Sequence, residues 1–531
     1  MRPLFNLILF SCLFYSTNAK EYNILDFGAK ADTTVLSTKA IQSAIDKCSQ
    51  TGGKVTIPAG NFKTGSLTMK SNVNLHLEQG AVLYGSKNYN NYQPHIPQYT
   101  ALRTRGKTKQ LIYAENESNF SITGTGLIDG QGGVFPDKTA EGVQYDRPHL
   151  IQFINCKSVL IENISLKNSG CWMEHYLACE ELTIRGIKVF NHSNKNNDGI
   201  DIDGCKNVII SDVIIDTDDD ALCLKSTSGR ANENISITNC VLSSHCNAFK
   251  LGTESNTGFK NISVSNLTIK PSAVTDKVIY GRTEGISGIS IESVDGGFLD
   301  GIAISNVTME GTASPIFVRL ASRNRPYKDD QVIDQTSTIR NVYISHVIAT
   351  GASETGCSIT GIPGHPVENI RLSNISITFK GGGTKNEFET EIPEKEKSYP
   401  EATMFGNLPA YGFFIRHAEN VNFANILLTT ENKDDRPALY LDDVHNSEFQ
   451  MMKLENAGSA CHVLAKDCSD IILRENKVHG TAKVFTELNG NNNQNLFITN
   501  NVLLGVEKSH HPEDTKNAVI EFGNIKQYEE E

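Results

Sequence analysis

The chain has 531 residues, a formal net charge of -12, 39% hydrophobic residues and 21% charged residues. These values are ordinary for a soluble globular protein, but the acidic balance disfavours a nucleic-acid partner, which would require a basic surface. An anionic ligand would need a local cluster of cationic side chains set against the overall charge.

The first segment of the chain is typical of a secretory signal. Arg2 supplies the charged start, Leu4 to Tyr15 form an apolar run, and a small-residue cleavage site ends at Ala19. The run is too short to anchor the chain across a bilayer, and no later segment is apolar enough to do so. We expect a signal peptide over residues 1–19 and a secreted or periplasmic protein, with a lipid anchor on Cys12 as the weaker alternative.

A helix is predicted directly after Leu36. Ser37 is a suitable N-cap, and the apolar residues that follow it recur at helical spacing. These residues are Ala40, Ile41, Ala44, Ile45 and Cys48. We expect this helix to cap the N-terminal end of a repeat fold, because an open end would expose the core.

Short strands repeat through most of the remaining chain. Each copy begins with a polar turn residue, often Asn, continues with alternating apolar residues and ends at another turn. Copies begin at Ser158, Glu181, Asn207, Asn234 and Asn261, which are 23, 26, 27 and 27 residues apart. This period predicts a β-solenoid, with Val and Ile inside and Asn in left-handed turns. We expect one all-β domain over residues 20–531.

Five insertions interrupt this pattern. They cover approximately Lys87–Gln110, Gly132–Pro148, Ser272–Ser287, Ser322–Thr338 and Gly381–Asn407. Insertions in solenoids form loops on one face, so we expect them to wall a binding cleft.

The cysteines do not predict a metal site. Twelve are present, and removal of Cys12 with the signal leaves eleven, an odd number that cannot pair completely within the chain. The sequence contains no Cys-x-x-Cys pair of the kind that binds zinc. We expect the cysteines to be small buried apolar side chains and expect no metal.

An acidic stretch from Asn196 to Ser226 is the strongest candidate site. Asp198 and Asp219 are 21 residues apart, and Asp219 and His245 are 26 apart, each close to one coil. One coil places residues in neighbouring rungs about 4.8 Å apart, so we expect these groups, with Asp220 at a bend, to share one surface. Glycosidic bond hydrolysis needs such carboxyl groups, one protonated for the leaving oxygen and one ionised to activate water. A solvated acidic turn and a calcium site remain alternatives.

Three blocks in this region carry a resemblance to a known family. They are "NNDGIDIDGCKNVIISD", "DDDALCLKS" and "SSHCNAFKLGTES". They resemble, in order, the N-T-D, G-D-D and G-H-G blocks of family 28 glycoside hydrolases, the polygalacturonase family. The resemblance implies a single-stranded right-handed parallel β-helix and an inverting reaction without metal or cofactor. It also implies that Asp219 is the general acid, that Asp198 and Asp220 position and deprotonate water, and that His245 is the block's histidine.

The family's fourth block, R-I-K, has no cationic counterpart here. The matching segment "GISIES" offers Ser290 and Glu292 in place of two cations. We therefore expect other cations to hold a uronate, above all Lys250 and Arg282. Further candidates are Lys225, Arg319, Arg323, Arg325 and Arg416.

An aromatic candidate lies one coil before Asp198. Trp172 and His175 lie together in "GCWMEH". Trp172 is predicted either to stack against a sugar or to pack in the core at a turn.

The sequence thus predicts a secreted hydrolase of α-glycosidic bonds in pectin. Exo action and a rhamnogalacturonan substrate are open possibilities, and we expect a monomer with a pectic substrate, no nucleic acid and no membrane span. The alternatives are a pectate-lyase-like polysaccharide lyase that uses calcium and a non-catalytic glycan-binding β-helix protein.

Overall fold

The computed structural model describes residues 20–105, 108–136, 147–456, 458–512 and 518–527. The predicted signal peptide and Cys12 lie outside these ranges. None of the described helices has the length and apolar character required to cross a membrane.

The described chain is built almost entirely from short strands. The strands of the first part are β1 (Glu21–Asn23), β2 (Gly53–Ile57), β3 (Gly60–Thr64), β4 (Leu67–Thr68), β5 (Val73–Leu77), β6 (Ala81–Gly85), β7 (Pro94–His95), β8 (Thr108–Glu115), β9 (Ser118–Gly124), β10 (Leu127–Asp129), β11 (His149–Ile154), β12 (Lys157–Glu162), β13 (Ser165–Lys167), β14 (Glu174–Leu177), β15 (Glu180–Arg185) and β16 (Lys188–Asn191). The middle part contains β17 (Ile200–Asp203), β18 (Lys206–Ser211), β19 (Ile214–Thr217), β20 (Leu222–Ser226), β21 (Asn232–Ser244), β22 (Asn247–Ser255), β23 (Gly258–Ile269), β24 (Gly285–Ser293), β25 (Phe298–Glu310), β26 (Thr312–Leu320), β27 (Thr338–Ala352), β28 (Cys357–Thr360) and β29 (Val367–Phe379). The last part contains β30 (Phe413–Thr430), β31 (Leu439–Gln450), β32 (Lys453–Glu455), β33 (Cys461–Lys466), β34 (Ser469–Arg474), β35 (Lys477–Asn489), β36 (Gln494–Thr499), β37 (Val502–His511), β38 (Val519–Phe522) and β39 (Ile525–Gln527). The α-helices are α1 (Thr38–Ser49) and α2 (Lys385–Phe388), and short 3-10 helices cover Ile24–Phe27, Tyr89–Asn91, Leu102–Thr104 and Gly132–Val134.

The strands stack in parallel register, each pairing with a strand about one coil away, so the predicted parallel β-helix is confirmed. Among the named strands, only β7 and β8 pair in the antiparallel sense. One interior column shows the register through nine successive coils. It consists of Val159, Leu182, Val208, Ile235, Ile262, Ile302, Val342, Ile370 and Val421. All nine are buried, and full burial of such a side chain contributes about 1.5–3 kcal/mol.

Asparagine occupies the turns between strands, as the repeat predicted. Asn207, Asn234 and Asn261 have φ angles of 56°, 58° and 55°, in the left-handed region that Asn tolerates. Their side chains also bond to one another from coil to coil. Asn234 Nδ2 donates to Asn207 Oδ1 at 3.1 Å, and Asn261 Nδ2 donates to Asn234 Oδ1 at 2.8 Å.

The predicted capping helix is confirmed as α1. Its buried side chains Ile41, Ala44, Ile45 and Cys48 join the main core. Ser37 stands at the N-cap position, but its hydroxyl accepts from the Lys30 backbone N–H at 3.2 Å and makes no capping bond to the helix.

All eleven described cysteines are buried free thiols, as predicted. Burial raises the pKa of many of them, for example that of Cys48 to about 11. Such thiols stay protonated and behave as apolar side chains.

Candidate active site

The fold brings the three predicted carboxylates to one cavity. Asp198 precedes β17, while Asp219 and Asp220 precede β20, the strand that pairs with β17 in the next coil. The Gly199 backbone N–H donates to the Asp220 carbonyl at 2.9 Å and holds the two segments together. All three aspartates line a cavity of about 340 Å³.

Four of the five insertions supply the walls of this cavity. The insertion residues that line it are Arg103, Ile279, Tyr280, Arg325, Tyr399 and Glu401. The remaining lining residues come from the coils themselves and are Trp172, Asn196, Lys225, Cys246 and Glu254. The insertions thus lie on one face around the acidic stretch, as predicted from the interruptions.

Two buried lysines lie between the carboxylates. Lys225 Nζ lies 3.4 Å from Asp198 Oδ2 and 3.3 Å from Asp201 Oδ1. Lys250 Nζ lies 3.4 Å from Asp220 Oδ2 and 3.3 Å from Glu401 Oε1. The crowded carboxylates are therefore compensated from within the chain and do not form an uncompensated acidic surface.

The neighbouring residues Asp219 and Asp220 differ in their electrostatic surroundings. Burial, followed by the charge of Asp220, raises the pKa of Asp219 above its usual value. Burial acts in the same direction on Asp220, but Lys250 and Lys225 outweigh it and lower the pKa of that carboxyl. At the same pH, Asp219 thus favours its protonated form and Asp220 favours its ionised form.

Asp198 is the third carboxyl of the cavity. Burial, together with the charges of Asp201 and Asp219, raises its pKa well above the usual value. Its Oδ1 atom is buried and accepts no hydrogen bond from the described residues, so this oxygen is available to a water or a substrate hydroxyl.

His245 does not lie where the resemblance implied. It does not line the cavity, and it is 1% exposed. Its Nδ1 lies 3.3 Å from Asp218 Oδ1, and its Nε2 is hydrogen-bonded to the Val274 carbonyl at 2.8 Å. Coil spacing placed His245 in the correct rung, and its ring contacts Asp218, which stands where the family block has glycine.

Asp218 is the centre of a polar cluster behind the cavity, which we call the anchoring cluster: His192, Asp216, Asp218 and His245. His192 Nδ1 lies 2.7 Å from Asp218 Oδ1, and its Nε2 lies 3.1 Å from Asp216 Oδ1. Burial disfavours the charged imidazole, but these two carboxylates raise the pKa of His192 to about 9. Asn197 connects this cluster to the cavity, because its Nδ2 donates to Asp218 Oδ2 at 3.0 Å and its Oδ1 accepts from the Asp219 backbone N–H at 3.2 Å.

Two sets of potential metal ligands occur among the described residues. They are His192 with Asp218 and His245, and Asp219 with Asp220 and Cys246. In the first set, Asp218 Oδ1 lies 2.7 Å from His192 Nδ1 and 3.3 Å from His245 Nδ1, and Lys277 Nζ lies 2.9 Å from Asp218 Oδ2. In the second set, burial raises the pKa of the Cys246 thiol well above its usual value, so the thiolate ligand is disfavoured. Neither arrangement requires a cation to compensate its charge.

Of the predicted uronate-binding cations, Lys225 and Arg325 line the cavity, whereas Lys250, Arg282, Arg319, Arg323 and Arg416 do not. Lys250 is 1% exposed, and its Nζ lies 3.4 Å from Asp220 Oδ2, 3.3 Å from Glu401 Oε1 and 3.8 Å from Oε1 of the fully buried Glu292. Arg282 pairs with Glu284 at 2.9 Å. Arg319 is 1% exposed and donates to the carbonyls of Gly361 and Glu394 at 2.9 and 2.6 Å. We correct the assignments of Lys250, Arg282, Arg319 and Glu292, because none of them lines the cavity and each is paired with groups of the protein itself.

The rings of Trp172 and His175 are in contact, with centroids 5.0 Å apart, but only Trp172 lines the cavity. Trp172 lines the cavity, and the Arg103 guanidinium and the Lys225 ammonium lie 4.7 and 4.9 Å from its ring centroid. His175 is fully buried, with Nε2 3.1 Å from Asp203 Oδ2. The assignment of His175 to substrate binding is therefore wrong, because its ring points into the packed coil.

Sequence reasoning missed several cavity residues. These are Arg103, Glu254, Tyr280, Tyr399 and Glu401. Four of them lie in insertions, where no repeat period relates sequence distance to position. The only available signal was the position of the insertions themselves.

The comparisons with known proteins agree with this geometry. The model of glycosyl hydrolases family 28 matches residues 48–398. A probable polygalacturonase of Vitis vinifera is 34% identical over 223 residues, which are 40% of this chain and 45% of that protein. An endo-polygalacturonase of Pectobacterium carotovorum subsp. carotovorum is 30% identical over 307 residues, 54% of this chain and 73% of that protein. The chain therefore spans less than half the length of the Vitis relative.

A solved structure shows the same fold. The exopolygalacturonase of Thermotoga maritima aligns with a TM-score of 0.53 at 21% identity, over 77% of this chain and 92% of that one. Because the family model covers well over half of the chain, this protein belongs to family 28 of the glycosyl hydrolases.

Proposed function

We propose that the protein hydrolyses α-glycosidic bonds in galacturonate-containing pectin by an inverting mechanism. Asp219 donates its proton to the leaving glycosidic oxygen. Asp220 and Asp198 hold a water on the opposite side of the sugar, and the ionised Asp220 accepts its proton. The products are two shorter chains, and the two carboxyl groups regain their starting protonation states through solvent.

The observation that carries this proposal is the opposite shift of the two neighbouring carboxyl groups. Acid–base hydrolysis requires one protonated and one ionised carboxyl at the same pH. Burial beside Asp220 raises the pKa of Asp219 and favours its protonated form, while Lys250 and Lys225 lower the pKa of Asp220 and favour its ionised form. A solvated acidic turn would have no such division, because water would compensate both charges equally.

Cations from the insertions support an acidic sugar as substrate. Arg103 and Arg325 line the cavity together with Lys225. They supply positive charge at the cavity in place of the family's R-I-K block. Arg103 Nη2 also pairs with Glu254 at 3.0 Å, which fixes the guanidinium in position.

Four insertions around one small cavity favour action near a chain end. A long polysaccharide needs a cleft that is open on both sides, and loops that enclose the cavity restrict this passage. We therefore include exo action in the proposal. From the sequence, the proposal also includes export directed by residues 1–19, a single β-helix domain over residues 20–531 and a monomeric state. Rhamnogalacturonan is the alternative pectic substrate, and it would bind on the same face.

The test is a substrate screen with purified protein on polygalacturonate, rhamnogalacturonan and short oligogalacturonides. New reducing ends are quantified, products are sized, and absorbance of unsaturated products is followed with and without a chelator. We expect reducing ends without ultraviolet absorbance, unaffected by chelation, and small products from the start of the reaction. An unsaturated product that disappears on chelation would support the lyase alternative, and initial products of mixed length would contradict exo action.

A matched pair of variants tests the assigned acid. Asp219→Asn should lower turnover by about 10²–10⁴-fold and leave binding of oligogalacturonide in place, because an acid catalyst acts on the chemical step. Asp212→Asn is the control, since Asp212 is exposed in the same acidic stretch and its φ of 59° suits Asn. It should retain full turnover. If Asp219→Asn keeps its activity, the assignment of Asp219 as the acid fails. If the wild type binds oligogalacturonide but releases no reducing ends, a glycan-binding role becomes the better description.

A further inference from the structure

A tight turn occupies the tip of the loop that connects β23 to β24. Ile279 and Arg282 exchange two backbone hydrogen bonds of 2.9 Å each across Tyr280 and Gly281. The φ angles of Tyr280 and Gly281 are 47° and 80°. Two consecutive positive φ angles in a two-residue connection are the signature of a type I′ turn.

Tyrosine is an unusual residue at this position. The first central position of a type I′ turn favours Asn, Asp or Gly, since other side chains are strained at positive φ. Packing in the core does not explain the choice, because Tyr280 is 63% exposed. Its side chain instead lines the cavity that contains Asp198, Asp219 and Asp220. A strained bulky residue beside reactive groups points to a function that the strain serves.

The base of this loop is fixed to the anchoring cluster. Ser272 Oγ donates to Asp216 Oδ1 at 2.6 Å, and the Ala273 backbone N–H donates to Asp216 Oδ2 at 2.9 Å. Lys277 Nζ lies 2.9 Å from Asp218 Oδ2. These contacts, with the bond between His245 and the Val274 carbonyl, hold the loop to the same coils that carry Asp219.

The turn itself is also held in place. Ile279 packs against an apolar cluster that contains Cys246, Ile286, Phe317 and Ala402. On the other side of the turn, Arg282 Nη1 pairs with Glu284 at 2.9 Å. The backbone of the turn that carries Tyr280 is therefore held before any ligand arrives, which reduces the entropy lost on binding.

The chemistry of the ring fits a sugar. An aromatic face packs on the apolar face of a pyranose, while its hydroxyl can form hydrogen bonds. Desolvation of the hydroxyl is the main cause that raises the pKa of Tyr280 to about 12, so the hydroxyl keeps its proton at neutral pH and can donate a hydrogen bond.

We propose that Tyr280 is a substrate-contacting residue whose ring packs on the sugar bound beside Asp219 and sets the affinity for it. The ligand class is the pyranose ring of an acidic oligosaccharide, so this inference rests on the proposed pectin hydrolysis. The strain at Tyr280 is maintained because Asn or Gly would form a better turn but would leave that sugar face without a partner.

The test measures stability and binding in the same variants. Tyr280→Asn and Tyr280→Phe are made in full-length protein that carries Asp219→Asn, so that a trigalacturonate probe is bound but not consumed. Tyr280→Asn should unfold at the same or a higher temperature, because Asn suits positive φ, while its Kd rises at least about tenfold. Tyr280→Phe should keep the Kd within about threefold, since the ring is retained.

Met451→Asn is the matched control. Met451 has a φ of 51° and is 46% exposed in the turn between β31 and β32, away from the cavity. It should unfold at the same or a higher temperature without any change in Kd.

The outcomes separate this inference from the proposed function. An unchanged Kd for Tyr280→Asn overturns the role of Tyr280 and leaves pectin hydrolysis standing. An equal loss of affinity in Tyr280→Phe also overturns it, because the hydroxyl and not the ring would then hold the ligand. If the Asp219→Asn parent binds no acidic oligosaccharide, the proposed function and the role of Tyr280 fall together.

Discussion

Asp219 and Asp220 are adjacent in the chain, yet only Asp220 lies against a buried ammonium group. Lys250 Nζ is 3.4 Å from Asp220 Oδ2, and Lys225 Nζ is 3.9 Å from the same oxygen. The pKa of Asp219 is raised, mainly by burial, and that of Asp220 is lowered, because the two lysines outweigh burial. The bend between β19 and β20 thus carries two carboxyl groups whose pKa values are shifted in opposite directions.

This difference predicts a bell-shaped dependence of kcat/KM on pH. Asp220 must be ionised, so the rate should fall as pH drops through its lowered pKa. Asp219 must be protonated, so the rate should fall as pH rises through its raised pKa. The measurement is kcat/KM for a short oligogalacturonide from acidic to alkaline pH. A rate that continues to rise into the alkaline range would contradict the assignment of Asp219 as the acid.

The coil period explains which parts of the site could be predicted from sequence. Because one coil advances the chain by one strand spacing, the sequence distance correctly predicted that Asp198 lies one coil from the pair Asp219 and Asp220. The period did not determine side-chain direction at the bend, where Asp218 and Asp219 face different sides. The period therefore predicts His245 at the cavity, although its Nδ1 lies 3.3 Å from Asp218 Oδ1 and the residue does not line the cavity.

The insertions explain which parts could not be predicted. Arg103 and Glu401 are separated from the catalytic coils by long stretches of sequence that follow no period. Their positions depend on individual contacts, such as that of Glu401 with Lys250 at 3.3 Å. Lys250 was assigned to the substrate for the same reason, since the carboxylates that surround it come partly from an insertion.

Lys250→Met tests whether this lysine keeps Asp220 ionised. Removal of the charge leaves Asp220, Glu292 and Glu401 facing one another in a buried site, which should destabilise the protein by about 3–5 kcal/mol. The pKa of Asp220 should rise, so the acidic limb of the kcat/KM profile should move to higher pH. Denaturant unfolding and the pH profile measure the two effects.

Lys157→Met provides the control for Lys250→Met. Lys157 pairs with Glu181 at 3.2 Å, but its side chain is 55% exposed. Loss of such a surface pair should cost less than about 1 kcal/mol and leave the pH profile unchanged. A Lys250→Met variant whose acidic limb coincides with that of Lys157→Met would show that Lys250 has only a structural role.

Glu401→Gln tests the protonation of the carboxyl that the last insertion brings to the cavity. Burial raises the pKa of Glu401 to about 8, although the charge of Lys250 opposes the shift. A raised carboxyl pKa means that the folded state binds the proton more tightly than the unfolded state. Its contribution to the free energy of unfolding is therefore complete below the unfolded pKa and is lost as pH rises through the folded pKa.

The expected result is a smaller pH dependence in the variant. Between about pH 4.5 and 8, the free energy of unfolding should fall less for Glu401→Gln than for the wild type, by on the order of 2–4 kcal/mol. Glu174→Gln is the control, because burial also raises the pKa of Glu174 to about 8, but Glu174 does not line the cavity. Both variants should flatten the stability curve, and only Glu401→Gln should change the KM for oligogalacturonide. If the stability curves of Glu401→Gln and the wild type are parallel, Glu401 is ionised throughout this range. Lys250 then compensates the negative charges of both Asp220 and Glu401.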